Sequence, residues 1–122
     1  MKPTLNDLTV DQLVDRFAEI GVAQDQALLY GERGHFTKLY WQMKDVDTEL
    51  RARGKDARCA LQRLYDHPNM QVRLQAAKRT LAVSPDAARK LVEEIRASKW
   101  HPQAMEAGMT LWNLDTGVFK PD

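Results

Sequence analysis

The chain has 122 residues, 43% of them hydrophobic and 29% charged, with six Gly, five Pro and a single Cys. This is one domain's worth of chain, long enough to bury about two thirds of its unfolded surface, so folding requires neither a disulfide nor a metal. The Gly and Pro content excludes collagen-like and low-complexity sequence, and a net charge of +1 excludes a uniformly basic or acidic chain.

Apolar residues recur at helical spacing almost throughout. Thr9, with Gln12 three residues on, forms a capping-box start. Val10, Leu13, Val14, Phe17 and Ile20 then share one stripe. That helix continues through Leu28 and Leu29, is weakened at Gly21 and stops at Gly31. Phe36, Leu39, Tyr40, Met43, Val46 and Leu50 make a second stripe, followed by Gly54, with Arg51 and Arg53 where cations favour a helix C-terminus. Ala57, Ala60, Leu61, Leu64 and Tyr65 make a third, ended by His67-Pro68. Asn69 caps a fourth helix carrying Val72, Ala76, Ala77, Thr80 and Leu81. Ser84-Pro85-Asp86 supplies an N-cap, a proline at the first helical position and an early acid, and opens a fifth helix that buries Ala88, Leu91, Val92 and Ile95. A sixth starts near Pro102 and carries Met105, Gly108, Met109 and Trp112, with Trp112 expected in the core. Gly117 ends it and Val118 supplies the apolar contact that follows.

No segment alternates with period two, and no Asn-Gly or Asp-Gly joins two apolar runs. The expected class is therefore all-α. Six helices form antiparallel pairs over 9–53, 55–83 and 84–115 in one domain, with a tail over 116–122. His67-Pro68 recurs as His101-Pro102 after 34 residues, each between an apolar-striped helix and one rich in small residues, which is the scale of an α-solenoid repeat.

The stretch from His67 through Asn69, Val72-Arg73 and Ala76-Ala77 to Leu81 resembles the second helix of a HEAT repeat, although Leu81 falls one residue later than that pattern places it. Residues 56–83 resemble one such repeat and 84–115 a degenerate second. Leu13-Val14-Asp15-Arg16-Phe17, Asp47 to Gly54, Val72-Arg73, Gly108-Met109-Thr110-Leu111-Trp112 and Phe119-Lys120-Pro121 also resemble a family of small bacterial proteins, domain of unknown function number two thousand nineteen. The resemblance implies a HEAT/armadillo-like α-α superhelix and brings no catalytic or binding residues with it.

Signals for chemistry are sparse. Cys59 stands alone, so no intrachain disulfide can form, and no base neighbours it in the sequence. His35, His67 and His101 form no metal-ligand motif; His67 and His101 read as polar turn residues. Ser84 reads as a helix cap rather than a nucleophile, and Glu93-Glu94 lie about 100° apart on a helix, poor geometry for a shared proton. Gly31-Glu32-Arg33-Gly34 lacks the strand and the Lys-Ser/Thr ending of a phosphate loop. No enzyme, cofactor or metal is expected. No apolar segment follows Met1-Lys2-Pro3 and no run approaches the ~20 residues of a membrane span, so the expected location is the cytoplasm.

Charge is segregated. Residues 1–50 carry a net −4, residues 51–100 a net +7 and residues 101–122 a net −2. The basic middle could hold phosphates, but Arg73, Lys78 and Arg79 fan around their helix. The basic helices are more simply expected to pack beside the acidic first helix, with Asp7, Asp11, Asp15 and Glu19, of which Asp11, Asp15 and Glu19 form a stripe. Trp41 lies off its stripe and Trp100 in a turn. Such a residue is either covered by a neighbour, the favoured reading for Trp41, or exposed as a binding anchor. The candidate interaction surface is Trp41, Trp100, Arg73, Lys78, Arg79, Asp11, Asp15 and Glu19. The expected function is a non-catalytic protein-protein interaction module with an unidentified protein partner and a possible homodimer. The alternatives are nucleic-acid binding through the basic middle, or an immunity- or inhibitor-type protein that plugs a toxin or enzyme.

Overall fold

A computed structural model describes residues 4–122. Met1-Lys2-Pro3, part of the segment read for a secretion signal, lies outside them. The described chain is all-helical, with six α-helices and no strand among the described residues: α1 Val10–Leu29, α2 Arg33–Ala52, α3 Lys55–Cys59, α4 Met70–Thr80, α5 Pro85–Ser98 and α6 Gln103–Asp115. Short 3-10 segments cover Leu5–Asp7 and Ala60–Leu64. The third helix predicted from Ala57 to Tyr65 is thus one α-turn that tightens into 3-10 geometry, then stops before Pro68, whose ring disfavours helix at the residue ahead of it.

Local signals act where the sequence places them. The Thr9 hydroxyl accepts from Gln12 N at 3.1 Å while the Gln12 side chain accepts from Thr9 N at 2.9 Å, a complete capping box. Asn69 Oδ1 accepts from the backbone N–H groups of Gln71 and Val72, and His67 Nδ1 accepts from Asn69 N at 3.0 Å, so His67 is a turn residue as expected. Gly31 and Gly117 stop α1 and α6 with φ of 67° and 79°, conformations that a Cβ disfavours. Two expectations need correction. Ser84 occupies the cap position of α5, but its hydroxyl makes no cap bond; it accepts instead from Gln62 Nε2, joining the 3-10 segment to α5. Val118 is exposed rather than packed under α6.

Helices α2, α4 and α6 run one way and α1 and α5 the other. Arg53 at the end of α2 reaches Leu5 O ahead of α1, and Arg89 near the start of α5 holds Asp115 at the end of α6. The core has two parts. Leu13, Val14 and Phe17 of α1 pack with Leu39, Met43, Val46 and Leu50 of α2, Leu61 and Leu64, and Val72 and Ala76 of α4. Leu74 and Ala77, on another face of α4, pack with Leu91, Val92 and Ile95 of α5 and Ala107 and Leu111 of α6. Burial on both faces makes α4 the central helix.

Close approach of α1 to α4 depends on Gly21. A Cβ there would lie 2.7 Å from Val72 Cγ2 and 3.2 Å from Val72 Cα. Alanine raises helix propensity by about 1 kcal/mol over glycine, yet the overlap outweighs it. Gly21→Ala is expected to lose about 1–3 kcal/mol of stability in urea unfolding; a variant more stable than the parent would mean that the helices separate at no cost.

A buried polar chain ties the same helices together. Gln24, Gln71 and Gln103, each 1% exposed, come from α1, α4 and α6. Gln71 Nε2 donates to Gln24 Oε1 at 3.0 Å, and Gln103 Nε2 donates to Gln71 Oε1 at 3.0 Å and to Asp25 Oδ1 at 3.3 Å. Asn69 Nδ2 reaches the other Asp25 oxygen. These amides fix the relative register of three helices, because a slide would strip buried groups of their partners.

Candidate functional site

Helix α6 turns its bulkiest side chains outward. Met105, Met109 and Trp112 sit at steps of four and three on one face and are 60%, 60% and 70% exposed. The buried face consists of Gln103, Ala104, Ala107, Thr110 and Leu111. The expectation of Trp112 in the core is therefore overturned. Both faces are apolar, and close packing against α4 and α5 selects the one with small side chains. The outer face borders a shallow groove of about 490 Å³ rimmed by Arg96, Lys99 and His101, with the Arg96 stem crossing Gly108. Trp100 is exposed in the turn just before α6.

Trp41, expected to be covered by a neighbouring helix, is half exposed on the outside of α2. Its stripe neighbour Tyr40 meets it edge to face at 5.3 Å, and Lys44 Nζ lies 5.2 Å above its ring. Lys44 thereby lies against the ring and leaves about half of the side chain in water.

The charged candidates do not form one surface. Arg63 of the basic middle does meet Asp11 of the acidic helix. Asp15 and Glu19 make no salt bridge with a described residue. Lys78 pairs with Glu106 at 3.1 Å, Arg79 with Asp47 at 3.4 Å, Arg53 with Glu49 at 2.9 Å and Arg89 with Asp115 at 2.9 Å. Arg73 donates to the His67 carbonyl. Six of the twelve cations in 51–99, namely Arg51, Arg53, Arg63, Lys78, Arg79 and Arg89, are in ion pairs, spread over several faces.

A second concavity, of about 280 Å³, lies between α2, α3, α4 and the tail. Lys44, Arg51, Arg58, Lys78 and Arg79 line it, with Asp47 beneath and Phe119, Pro121 and Asp122 as one wall. Asp47 is 4% exposed, 3.4 Å from Arg79 and 3.9 Å from Arg51. Burial raises its pKa above the ordinary aspartate value; the Arg79, Arg51 and Arg58 charges pull the other way and do not restore it. Its Oδ1 has no hydrogen-bond partner among the described residues, and neither has Arg58 Nε. The Asp122 carboxylate accepts from Arg51 Nη2 at 2.6 Å, a bond that holds its pKa below the usual carboxylate range. Of the residues that line this cavity, the candidate surface expected from the sequence included only Lys78 and Arg79, because the lining joins positions as far apart as Tyr40 and Asp122. Among the described residues, no three His, Cys, Asp or Glu side chains gather as metal ligands would, and no helix is long and apolar enough to cross a membrane.

The family model described as "Domain of unknown function (DUF2019)" matches residues 11–115. The chain belongs to this family. The crystal structure of the protein RPA1889 from Rhodopseudomonas palustris CGA009 is similar to it, with 50% sequence identity and a TM-score of 0.94 over 99% of this chain and 100% of that one. No curated protein matches. The outer face of α6 lies wholly within the DUF2019 region, as do the five cations of the second cavity, whereas the Phe119–Asp122 wall lies beyond it.

Proposed function

We propose that this DUF2019 protein is a non-catalytic protein-interaction module built from HEAT-like helix pairs, and that it engages its partner through the outer face of α6. The observation that carries this reading is the exposed row Met105, Met109, Trp112. Three large apolar side chains in line cost hydration free energy unless something covers them, and Met adapts well to a binding groove. The rim of Arg96, Lys99 and His101 carries no acid. The fitting partner is an amphipathic helix whose apolar face is flanked by Asp and Glu. A two-fold homodimer through the same face would press this cationic rim toward its own copy, which disfavours that pairing.

Met109→Glu is expected to abolish capture of the partner from extracts of the source cell, with an unchanged circular dichroism spectrum and unchanged stability, since the residue is already in water. Trp112→Ala is expected to weaken capture by about 2 kcal/mol or more, the usual loss at an aromatic anchor. Retention of the same partner by both variants would remove α6 from the interface. A dimer by light scattering that either variant dissolves would instead make the partner a second copy.

A further inference from the structure

The α2–α3–α4 cavity has features that the interaction reading does not use. It places five cations, Lys44, Arg51, Arg58, Lys78 and Arg79, against two lining acids, Asp47 and Asp122, and Lys78 also pairs with Glu106. One of the lining acids belongs to the tail and sits on the cations loosely. The Asp122 side chain is 86% exposed although it bonds to Arg51, and exposed ion pairs exchange readily with water and salt. Arg58 Nη1 reaches only the Asp122 main-chain oxygen, at 3.4 Å. The other acid is buried with one oxygen lacking a donor, and Arg58 Nε lacks an acceptor. The unmet needs of the walls are thus an anionic oxygen for the guanidinium groups and a hydroxyl for Asp47.

We propose that this cavity is a binding site for inorganic hydrogen phosphate, and that the Asp122 carboxylate is an intramolecular stand-in which the ligand displaces. Arg51 and Arg58 take the anionic oxygens, because a planar guanidinium matches phosphate geometry. Lys44, together with Lys78, which is shared with Glu106, balances the second negative charge. Asp47, which lines the same cavity and has an oxygen without a donor, accepts a hydrogen bond from the remaining P–OH. That last contact sets specificity. Sulfate has the same shape and charge at neutral pH but no proton to donate, so it would press an oxygen lone pair against the Asp47 carboxylate. A phosphodiester such as a nucleic-acid backbone also lacks the proton. The volume of about 280 Å³ is at the small end for ligand sites and suits a compact anion.

Isothermal titration calorimetry of the full chain at low ionic strength tests this with sodium phosphate, glycerol 2-phosphate, sodium sulfate and dimethyl phosphate. Phosphate is expected to bind, and sulfate and dimethyl phosphate to bind at least about tenfold more weakly. Asp122→Asn removes the side-chain charge that competes for Arg51, leaving the main-chain oxygen near Arg58, and is expected to tighten phosphate about two- to fivefold. Arg58→Gln, checked for folding by circular dichroism, is expected to weaken it about tenfold. Asp47→Asn is expected to erase the preference over sulfate. Glycerol 2-phosphate, a dianion without a P–OH proton at neutral pH, is expected to bind as weakly as sulfate, and binding equal to that of phosphate overturns the proposal. Absence of phosphate binding in both the parent and Asp122→Asn overturns the proposal. So does phosphate binding that Arg58→Gln leaves intact, or equal binding of sulfate or dimethyl phosphate by the parent protein.

Discussion

Gln71→Ala is expected to lower the unfolding free energy by about 3–5 kcal/mol, which is a large share of a small domain's stability. Gln71 is the middle member of the amide chain between α1, α4 and α6. Its removal leaves Gln24 Oε1 without its donor, takes one of two acceptors from Gln103 Nε2 and opens a hole beside the central helix. Each buried group left unpaired costs about 1–3 kcal/mol, and the cavity adds to that. Gln71→Leu separates the two contributions. It fills most of the space but cannot bond, so it is expected to lose about 1–3 kcal/mol. Urea unfolding of both variants measures this, and a Gln71→Leu protein as stable as the parent would reduce the amides to filler.

The second large effect concerns Asp47. Arg79→Met keeps most of the aliphatic volume but removes the nearest cation, and is expected to cost about 2–3 kcal/mol at pH 7. That is less than loss of a sole partner, because Arg51 remains at 3.9 Å and Arg58 contributes nearby. Asp47→Asn is expected to act in the opposite direction. A folded pKa raised by burial means that the folded state binds the proton more tightly than the unfolded chain does. Ionised Asp47 therefore diminishes stability above its folded pKa. That cost fades as pH falls through the folded pKa and is gone below the ordinary aspartate value of about 3.9. Asp47→Asn should be at least as stable as the parent at pH 7, with the difference vanishing in acid. Urea unfolding of both proteins from pH 7 to pH 4 checks the sign, and a deficit for Asp47→Asn at pH 7 that disappears in acid would contradict it.

Helix punctuation was legible in the sequence because the groups that stop or start a helix act within four residues of it. Thr9 with Gln12, Asn69 and Gly117 do their work through bonds or dihedral angles that no distant residue alters. The inward stripes of α1 and α5 were legible for a related reason. Each has one strongly apolar face, so only one orientation buries it. Helix α6 is different. Its period of 3.6 is compatible with either face, and bulk pointed to Met105, Met109 and Trp112. The close approach of α4 and α5 takes Ala104 and Ala107 instead, and leaves the large residues for a partner.

The sequence by itself therefore determined the all-α class, the helix limits to within a few residues, and the acidic ends around a basic middle. Only the tertiary structure decided which distant cations and acids meet. Asp47 and Arg79, Asp11 and Arg63, and Arg51 and Asp122 are 32, 52 and 71 residues apart. Spacing along a chain carries no information about such pairs, because the packing of whole helices brings them together. The same holds for the three buried glutamines, which look like solvent-facing residues until α1, α4 and α6 close around them. A polar side chain reveals a buried role only when its partners are in place.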